Sequence, residues 1–139
     1  MEKEEGEDWE PVDTTSLGRA TWTFLHTLAA NYPKKPTAVE KTRMMLFMAH
    51  FSDLYPCEVC QSGLKDIVTK TPPEVESNKT FTRWMCKVHN GVNEHLGKEL
   101  FDCSKVDERW GVCESCKVYR EDLNAFKNLI RSIPSSKSG

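Results

Sequence analysis

Thr37-Ala-Val-Glu40-Lys-Thr-Arg-Met44-Met-Leu-Phe47-Met48-Ala-His-Phe51-Ser-Asp-Leu54-Tyr55 decides the fold class. Thr37 with Glu40 three residues on is a capping box, so a helix opens there. Met44, Phe47, Met48, Phe51, Leu54 and Tyr55 follow at i, i+3, i+4, i+7, i+10 and i+11, the spacing of one helical face. Upstream, Ser16 to about Tyr32 forms a first helix, with Ser16 as N-cap, Pro33 as stop, and Leu17, Ala20, Phe24, Leu25 and Leu28 on one side. Downstream, Pro56 restarts the chain into a third helix. It carries Cys57-Glu-Val-Cys60, aligns Cys60 with Leu64, Ile67 and Val68, and closes at Thr71-Pro-Pro. A fourth runs from about Asn78 to Leu96, with Gly97 at C′. A short fifth starts at Ser104, capped toward Asp107, and ends near Trp110. No stretch alternates with period two over a useful length, so the fold class is all-α, a small helical bundle.

The remaining composition limits what such a bundle does. At 139 residues and 38% hydrophobic, the chain is one domain's worth of sequence. Nineteen basic and twenty-one acidic residues give a net charge of −2, which speaks against a protein built to coat nucleic acid. Apolar runs such as 44–49 fall far short of the ~20 residues that span a bilayer. Residues 1–15 are acidic and aperiodic, a flexible lead-in without the features of a secretory signal or a transit peptide. Residues 111–139 form a C-terminal arm: a Gly111 hinge, a mixed helical-looking segment, and a Ser-Ser-Lys-Ser-Gly tail.

The fourth helix has three faces at about 100° per residue. Phe81, Trp84, Met85, Val88, Val92 and Leu96 make an apolar stripe; Arg83, Lys87, Glu94 and Lys98 make a charged one. Cys86, His89, Asn90, Asn93 and Gly97 belong to neither. An amphipathic helix needs only a core side and a solvent side. The third strip is either a border to the solvent face or the seat of a polar ligand, and the cysteine in it favours the ligand.

Six cysteines are too many for idle thiols in a reducing compartment. Cys57-x2-Cys60 at a helix start has a reactive logic, because the unpaired N–H groups and partial positive charge there stabilise a thiolate. Cys57 is then the more accessible sulfur and Cys60 points inward. Zinc competes for the same residues: Cys57, Cys60, Cys86 and His89 are a CCCH ligand set at tolerable spacing, and a zinc-stabilised helical interaction module without catalysis is the alternative reading. Cys86 and Cys103 could instead pair, closing a loop of about 18 residues at a gain of roughly 3 kcal/mol. Cys113-Glu-Ser-Cys116, beyond the Gly111 hinge, suits a mobile thiol–disulfide shuttle.

Four motifs in order carry a family resemblance. They are Leu17-Gly-Arg-Ala-Thr-Trp22-x3-His26, Tyr55-Pro-Cys57-x2-Cys60, Trp84-x-Cys86-x2-His89-Asn90-x-Val92-Asn93-x2-Leu96-Gly97-Lys98 and Phe101-Asp-Cys103-Ser-Lys-Val-Asp-x-Arg109-Trp110. Together, over residues 16–110, they resemble the Erv/ALR family of FAD-linked sulfhydryl oxidases. The resemblance implies a four-helix bundle with a short fifth helix, FAD at one end of the bundle, and a homodimer. It implies that Cys57–Cys60 is the redox disulfide beside the flavin, with Cys60 the charge-transfer thiol and Cys57 the interchange thiol, and that Cys86–Cys103 is structural. It implies FAD contacts from Gly18, Arg19, Trp22, His26, Tyr55, Cys86, His89, Asn90, Val92, Asn93, Lys98, Arg109 and Trp110, and no metal. Animal forms carry the shuttle pair in an N-terminal extension; residues 1–16 here hold no cysteine. The pair Cys113/Cys116 is similar instead to plant and protist forms. The implied activity is a thiol oxidase moving electrons from dithiol protein substrates, or an import oxidoreductase, through Cys113/Cys116 and Cys57/Cys60 to FAD and then to oxygen or cytochrome c. The implied home is the mitochondrial intermembrane space, with the secretory pathway second.

Overall fold

A computed structural model describes residues 10–111, 113, 115 and 123–134, excepting the side chains of 123–126. The helices are α1 (Thr14–Ala30), α2 (Ala38–Leu54), α3 (Glu58–Lys70), α4 (Asn78–His95), α5 (Val106–Arg109, entered through a 3₁₀ turn at Cys103–Lys105) and α6 (Leu123–Ser132). Among the described residues there is no strand, and no helix is long and apolar enough to cross a membrane. The all-α bundle expected from the sequence is the architecture found. Residues 1–9 of the expected lead-in, and most of 112–122, lie outside the described residues.

α4 is the central element, packed by α1 on one side and α3 on the other, with α2 against α3. The sequence explains why. Phe81, Trp84, Met85 and Val88 are all buried, and among the described residues no other helix buries so many. Trp84 stacks on Phe81 with centroids 5.6 Å apart, and its indole N–H donates to the Thr71 carbonyl at 2.9 Å, so the ring is buried without orphaning its polar atom. Gly91 lets α3 approach: a Cβ there would stand 3.1 Å from Ile67 Cδ1. Leu25 and Ala29 from α1, Met44 and Met48 from α2 and Leu64 from α3 complete the core.

Helix ends follow local chemistry. Thr37 and Glu40 form the expected capping box on α2; Ser77 and Thr80 form another on α4. α4 closes with Gly97 at φ 69°, where Lys98 N–H donates to the Asn93 carbonyl at 2.8 Å and Gly97 N–H to Glu94 at 3.1 Å. That is a Schellman closure, and it turns Lys98 back alongside the helix.

Four expectations need correction. α1 is capped by Asp13, not Ser16: the Asp13 carboxylate accepts from Ser16 N–H at 2.7 Å, and that bond holds the carboxyl below its ordinary range. The helix therefore starts inside the supposed lead-in. The buried side of α1 is Leu25, His26, Ala29 and Ala30 rather than the aliphatic stripe, and Phe24 is 53% exposed. Leu54, expected in the core, is 77% exposed because α2 ends there, just before the turn into α3. The 3₁₀ turn is capped by Asp102, which accepts from Ser104 N–H at 3.0 Å, so it begins before Ser104.

Cys86, buried on α4, is disulfide-bonded to Cys103 with Cα atoms 5.8 Å apart, pinning α5 against α4. Asn90 reinforces the same junction from one turn on. Its side-chain N–H donates to the Phe101 carbonyl at 2.8 Å, and its oxygen accepts from Phe101 N–H at 2.8 Å. Cys103→Ser is expected to lower unfolding free energy by about 3 kcal/mol in urea titration, the entropy scale of that loop. A change below about 0.5 kcal/mol would remove the bond's structural assignment.

Candidate functional site

Four rings from three helices meet at one end of the bundle. Trp22 and His26 are one turn apart on α1, His89 is on α4, and Trp110 caps α5. Trp22 stacks on His89 with centroids 4.0 Å apart and planes 7° from parallel; His26 stacks on Trp110 at 4.6 Å and 5°. The two stacks are joined by a hydrogen bond of 2.9 Å between His26 Nε2 and His89 Nδ1. Arg109 lies over Trp110, its Cζ 3.9 Å from the ring centroid.

Both imidazoles are neutral at pH 7. Burial pushes His26 down to about 3, with His89 and Arg109 adding to the shift. Burial pushes His89 down to about 4, with Lys98 adding. A neutral pair shares one proton across its hydrogen bond. His26 Nδ1 is buried with no partner in the structure. The tautomer in which His26 Nε2–H donates leaves a bare lone pair at Nδ1 rather than an orphaned N–H, and it puts the remaining proton of His89 on Nε2.

Trp22, His89 and Trp110 line a cavity of about 710 Å³, toward the upper end of the ~300–1,000 Å³ usual for ligand pockets. Leu25, Phe51, Leu64, Val92 and Leu96 supply apolar lining. Arg19, Lys98 and Arg109 supply cations, and Thr14, Thr15, Thr21, Thr23 and Asn93 supply hydrogen-bonding groups. Tyr55 also lines it. Thr21 donates to the Leu17 carbonyl at 2.7 Å, which leaves its oxygen free to accept from the Tyr55 hydroxyl 3.3 Å away, tying the α2–α3 turn to α1. Gly18 lines the cavity too, and a Cβ built there meets no atom within 4 Å, so no protein neighbour demands a glycine.

Cys57 and Cys60 are disulfide-bonded at the start of α3. Cys57 is the N-cap, and its sulfur accepts from Cys60 N–H at 3.4 Å. Cys60 lines the cavity and Cys57 does not. The expected order of access is reversed: Cys60 is exposed and Cys57 half-buried. The reason is that Cys60 presents its surface to the cavity, not to the core. Cys113 is disulfide-bonded, with its sulfur 3.5 Å from the Ser115 hydroxyl; Cys116 lies outside the described residues.

Of the thirteen cofactor contacts expected from the sequence, Gly18, Arg19, Trp22, Tyr55, His89, Val92, Asn93, Lys98, Arg109 and Trp110 converge on this cavity. His26 stands behind His89 and Trp110, Cys86 is bound to Cys103, and Asn90 holds Phe101; none of the three lines it. Thr14, Thr15, Thr21 and Thr23 were not anticipated, although Thr14, Gly18, Thr21 and Trp22 fall at i, i+4, i+7 and i+8, a face readable from spacing. Leu25, Phe51, Leu64 and Leu96 read as core because apolar periodicity does not separate a core wall from a cavity wall. The zinc set does not assemble: Cys57 pairs with Cys60, Cys86 with Cys103 and His89 with His26, and among the described residues no cluster of three His, Cys, Asp or Glu could hold a metal.

The sequence profile of the Erv1 / Alr family matches residues 19–111. The chain is 49% identical over 114 residues to the FAD-linked sulfhydryl oxidase ERV1 of Arabidopsis thaliana, covering 82% of this chain and 59% of that protein. It is 43% identical over 101 residues to the mitochondrial FAD-linked sulfhydryl oxidase ERV1 of Saccharomyces cerevisiae, covering 73% and 53%. The chain thus spans a little over half the length of these relatives. The crystal structure of the yeast Erv1 core superposes with a TM-score of 0.75 at 39% identity, covering 78% of this chain and 92% of that one.

The His26–His89 pair sets a pH dependence. Both folded-state values lie below the ordinary 6.5. The unfolded chain therefore takes up protons first, so stability is full above about pH 6.5 and falls as pH drops toward 4. Aspartates 13, 53 and 102 have ordinary values of 3.8 and titrate below this window. The urea midpoint should fall between pH 6.5 and 4, and the fall should be shallower in His89→Asn. A midpoint independent of pH there would mean the pair is not buried and neutral.

Proposed function

The chain belongs to the Erv1 / Alr family, and from that premise we propose that it is an FAD-dependent thiol oxidase forming disulfides in protein substrates. One observation carries the reading: a single cavity combines a CxxC sulfur, stacked ring faces and three cations. These residues fit FAD part by part. The Trp22–His89 and His26–Trp110 stacks offer flat walls for aromatic rings, Arg19, Lys98 and Arg109 suit a pyrophosphate, and Gly18 suits a ligand lying close to backbone. When bound, FAD supplies a two-electron acceptor that oxygen reoxidises, giving hydrogen peroxide, or that cytochrome c reoxidises one electron at a time.

The protein's part is thiol–disulfide exchange and placement of sulfur. A substrate dithiol reduces the Cys113–Cys116 disulfide and leaves as a disulfide itself. One shuttle thiolate then attacks Cys57 Sγ; the Cys57–Cys60 bond breaks and Cys60 departs as thiolate. The second shuttle thiol loses its proton, displaces Cys57 and restores the shuttle disulfide, so two electrons have moved to the Cys57/Cys60 pair. Cys57 is the site of attack because Cys60 is on the cavity side, which the cofactor would cover. The N–H of Cys60 and the start of α3 stabilise the Cys57 thiolate as it leaves. His26, one layer behind the wall, fixes the ring plane and tautomer of His89 rather than touching the ligand.

In this reading residues 16–110 are the oxidase domain and 111–139 the shuttle arm. The protein works as a homodimer, with each arm serving the other subunit's Cys57. Exposed Phe24, Met45 and Leu46, next to an apolar groove of about 210 Å³ lined by Leu28, Tyr32, Met44 and Phe47, support a partner copy against α1 and α2. The intermembrane space, with a dithiol import oxidoreductase as partner, is the proposed setting; the mitochondrial name of the yeast relative supports it.

Purified protein should be yellow and free of stoichiometric zinc. Cys60→Ser should keep its flavin and lose reduction of it by any thiol, followed by anaerobic bleaching of the flavin band. Cys113→Ser should spare oxidation of a small dithiol but slow that of a reduced protein by on the order of tenfold or more, the loss of a tethered nucleophile. Equal loss on both substrates would remove the shuttle from the scheme.

A further inference from the structure

α6 is unlike the other helices. Its Leu129 and Ile130, and Ile133 just past its last residue, are 61%, 48% and 58% exposed although they share one side. In sequence the pattern is longer: Leu123, Phe126, Leu129, Ile130 and Ile133 recur at i, i+3, i+6, i+7 and i+10. At about 100° per residue these five positions occupy an arc of about 120°. Lys127 and Arg131, both exposed, follow at about 60° and 100° round from Ile130, bordering that arc. Asn124, Asn128 and Ser132 complete the polar side.

Glu121 and Asp122 precede the helix, and beyond them the charge is one-sided. From Leu123 to the last residue the chain holds Lys127, Arg131 and Lys137 and none of its twenty-one acidic residues. We propose that α6 binds an anionic lipid surface, lying in the interface with Leu129, Ile130 and Ile133 among the acyl chains and Lys127 and Arg131 at the phosphates. A helix of ten residues is about 15 Å long and cannot span a bilayer, so it can only lie along one. Cations bordering an apolar arc let their aliphatic stems lie on the membrane while the charged heads reach the headgroups. A protein groove fits less well. The apolar groove between α1 and α2 is edged by both Glu40 and Arg43, and α6 has no acidic residue to answer the arginine. The proposal is independent of the thiol chemistry: its failure leaves the oxidase reading untouched. If it holds, the cysteine arm is tethered to a surface within about ten residues of Cys113.

The test is co-sedimentation of the full-length, flavin-loaded protein with vesicles of phosphatidylcholine alone and of equimolar phosphatidylcholine and phosphatidylglycerol. Binding is expected to the anionic vesicles only, and to weaken as salt is raised. Lys127→Gln with Arg131→Gln should weaken it roughly 25-fold, at about fivefold per cation near an anionic surface. Ile130→Asp should abolish it while the bundle melts at the unchanged temperature, which shows that the variant is folded. Wild-type protein left in the supernatant with both compositions overturns the proposal, as does equal binding to neutral vesicles or undiminished binding of the double variant. A change of sedimentation coefficient in Ile130→Asp, with no vesicle binding by wild type, overturns it in favour of a second copy as the occupant.

Discussion

One hydrogen bond organises the functional end of this bundle: His26 to His89, 2.9 Å, between α1 and α4. It is part-buried, with His26 in the core and His89 half-buried on the cavity wall, neutral on both sides, and sandwiched by Trp22 and Trp110. A buried imidazole is costly unless paired, and among the described residues the polar group that meets His26 Nε2 is the other imidazole. The pairing ties α1 to α4 at this end of the bundle. It also sets the ring planes that wall the cavity. α5, which carries Trp110 to the stack, is anchored by the Cys86–Cys103 bond and by Asn90 gripping Phe101. The structural disulfide is in this sense part of the site, although it does not line it.

The CxxC pair shows a second division of labour. Cys57 is an N-cap, and its sulfur takes one of the N–H groups that α3 leaves unpaired. Cys60, one turn in, is on the cavity wall. A single helix start thus separates a sulfur whose anion the backbone stabilises from a sulfur that shares a cavity with stacked rings and cations. The proposed thiol oxidation needs that separation, because in it one sulfur would meet a bulky protein and the other a cofactor ring.

Much of this was legible in the sequence. The capping box at Thr37, the glycine after Leu96 and the apolar runs of α2 and α4 are local signals, and local physics decided them. The third strip on α4 was legible as a strip but not as a single surface. His89 and Asn93 reach the cavity, Cys86 a disulfide and Asn90 a neighbouring loop, because the segment from Phe101 to Cys103 lies against part of the strip and no periodicity encodes where a distant segment lands. The start of α1 was missed for a simpler reason. Asp13 competes with Ser16 for the cap, and a carboxylate also gains from the positive end of the helix. The inverted access of Cys57 and Cys60 could not be read at all, since a cavity and a core present the same apolar pattern to a one-dimensional reading.

The central claim is that Cys60 and the Trp22–His89 stack belong to one flavin cavity. A crystal structure of the purified, yellow protein tests it most directly. The account predicts the isoalloxazine ring in van der Waals contact with Cys60 Sγ, about 3.5–4 Å away, and a flat part of the same molecule packed against the His89 or Trp110 ring. A flavin seated elsewhere on the bundle, or one that meets Cys57 while Cys60 faces away, would contradict it.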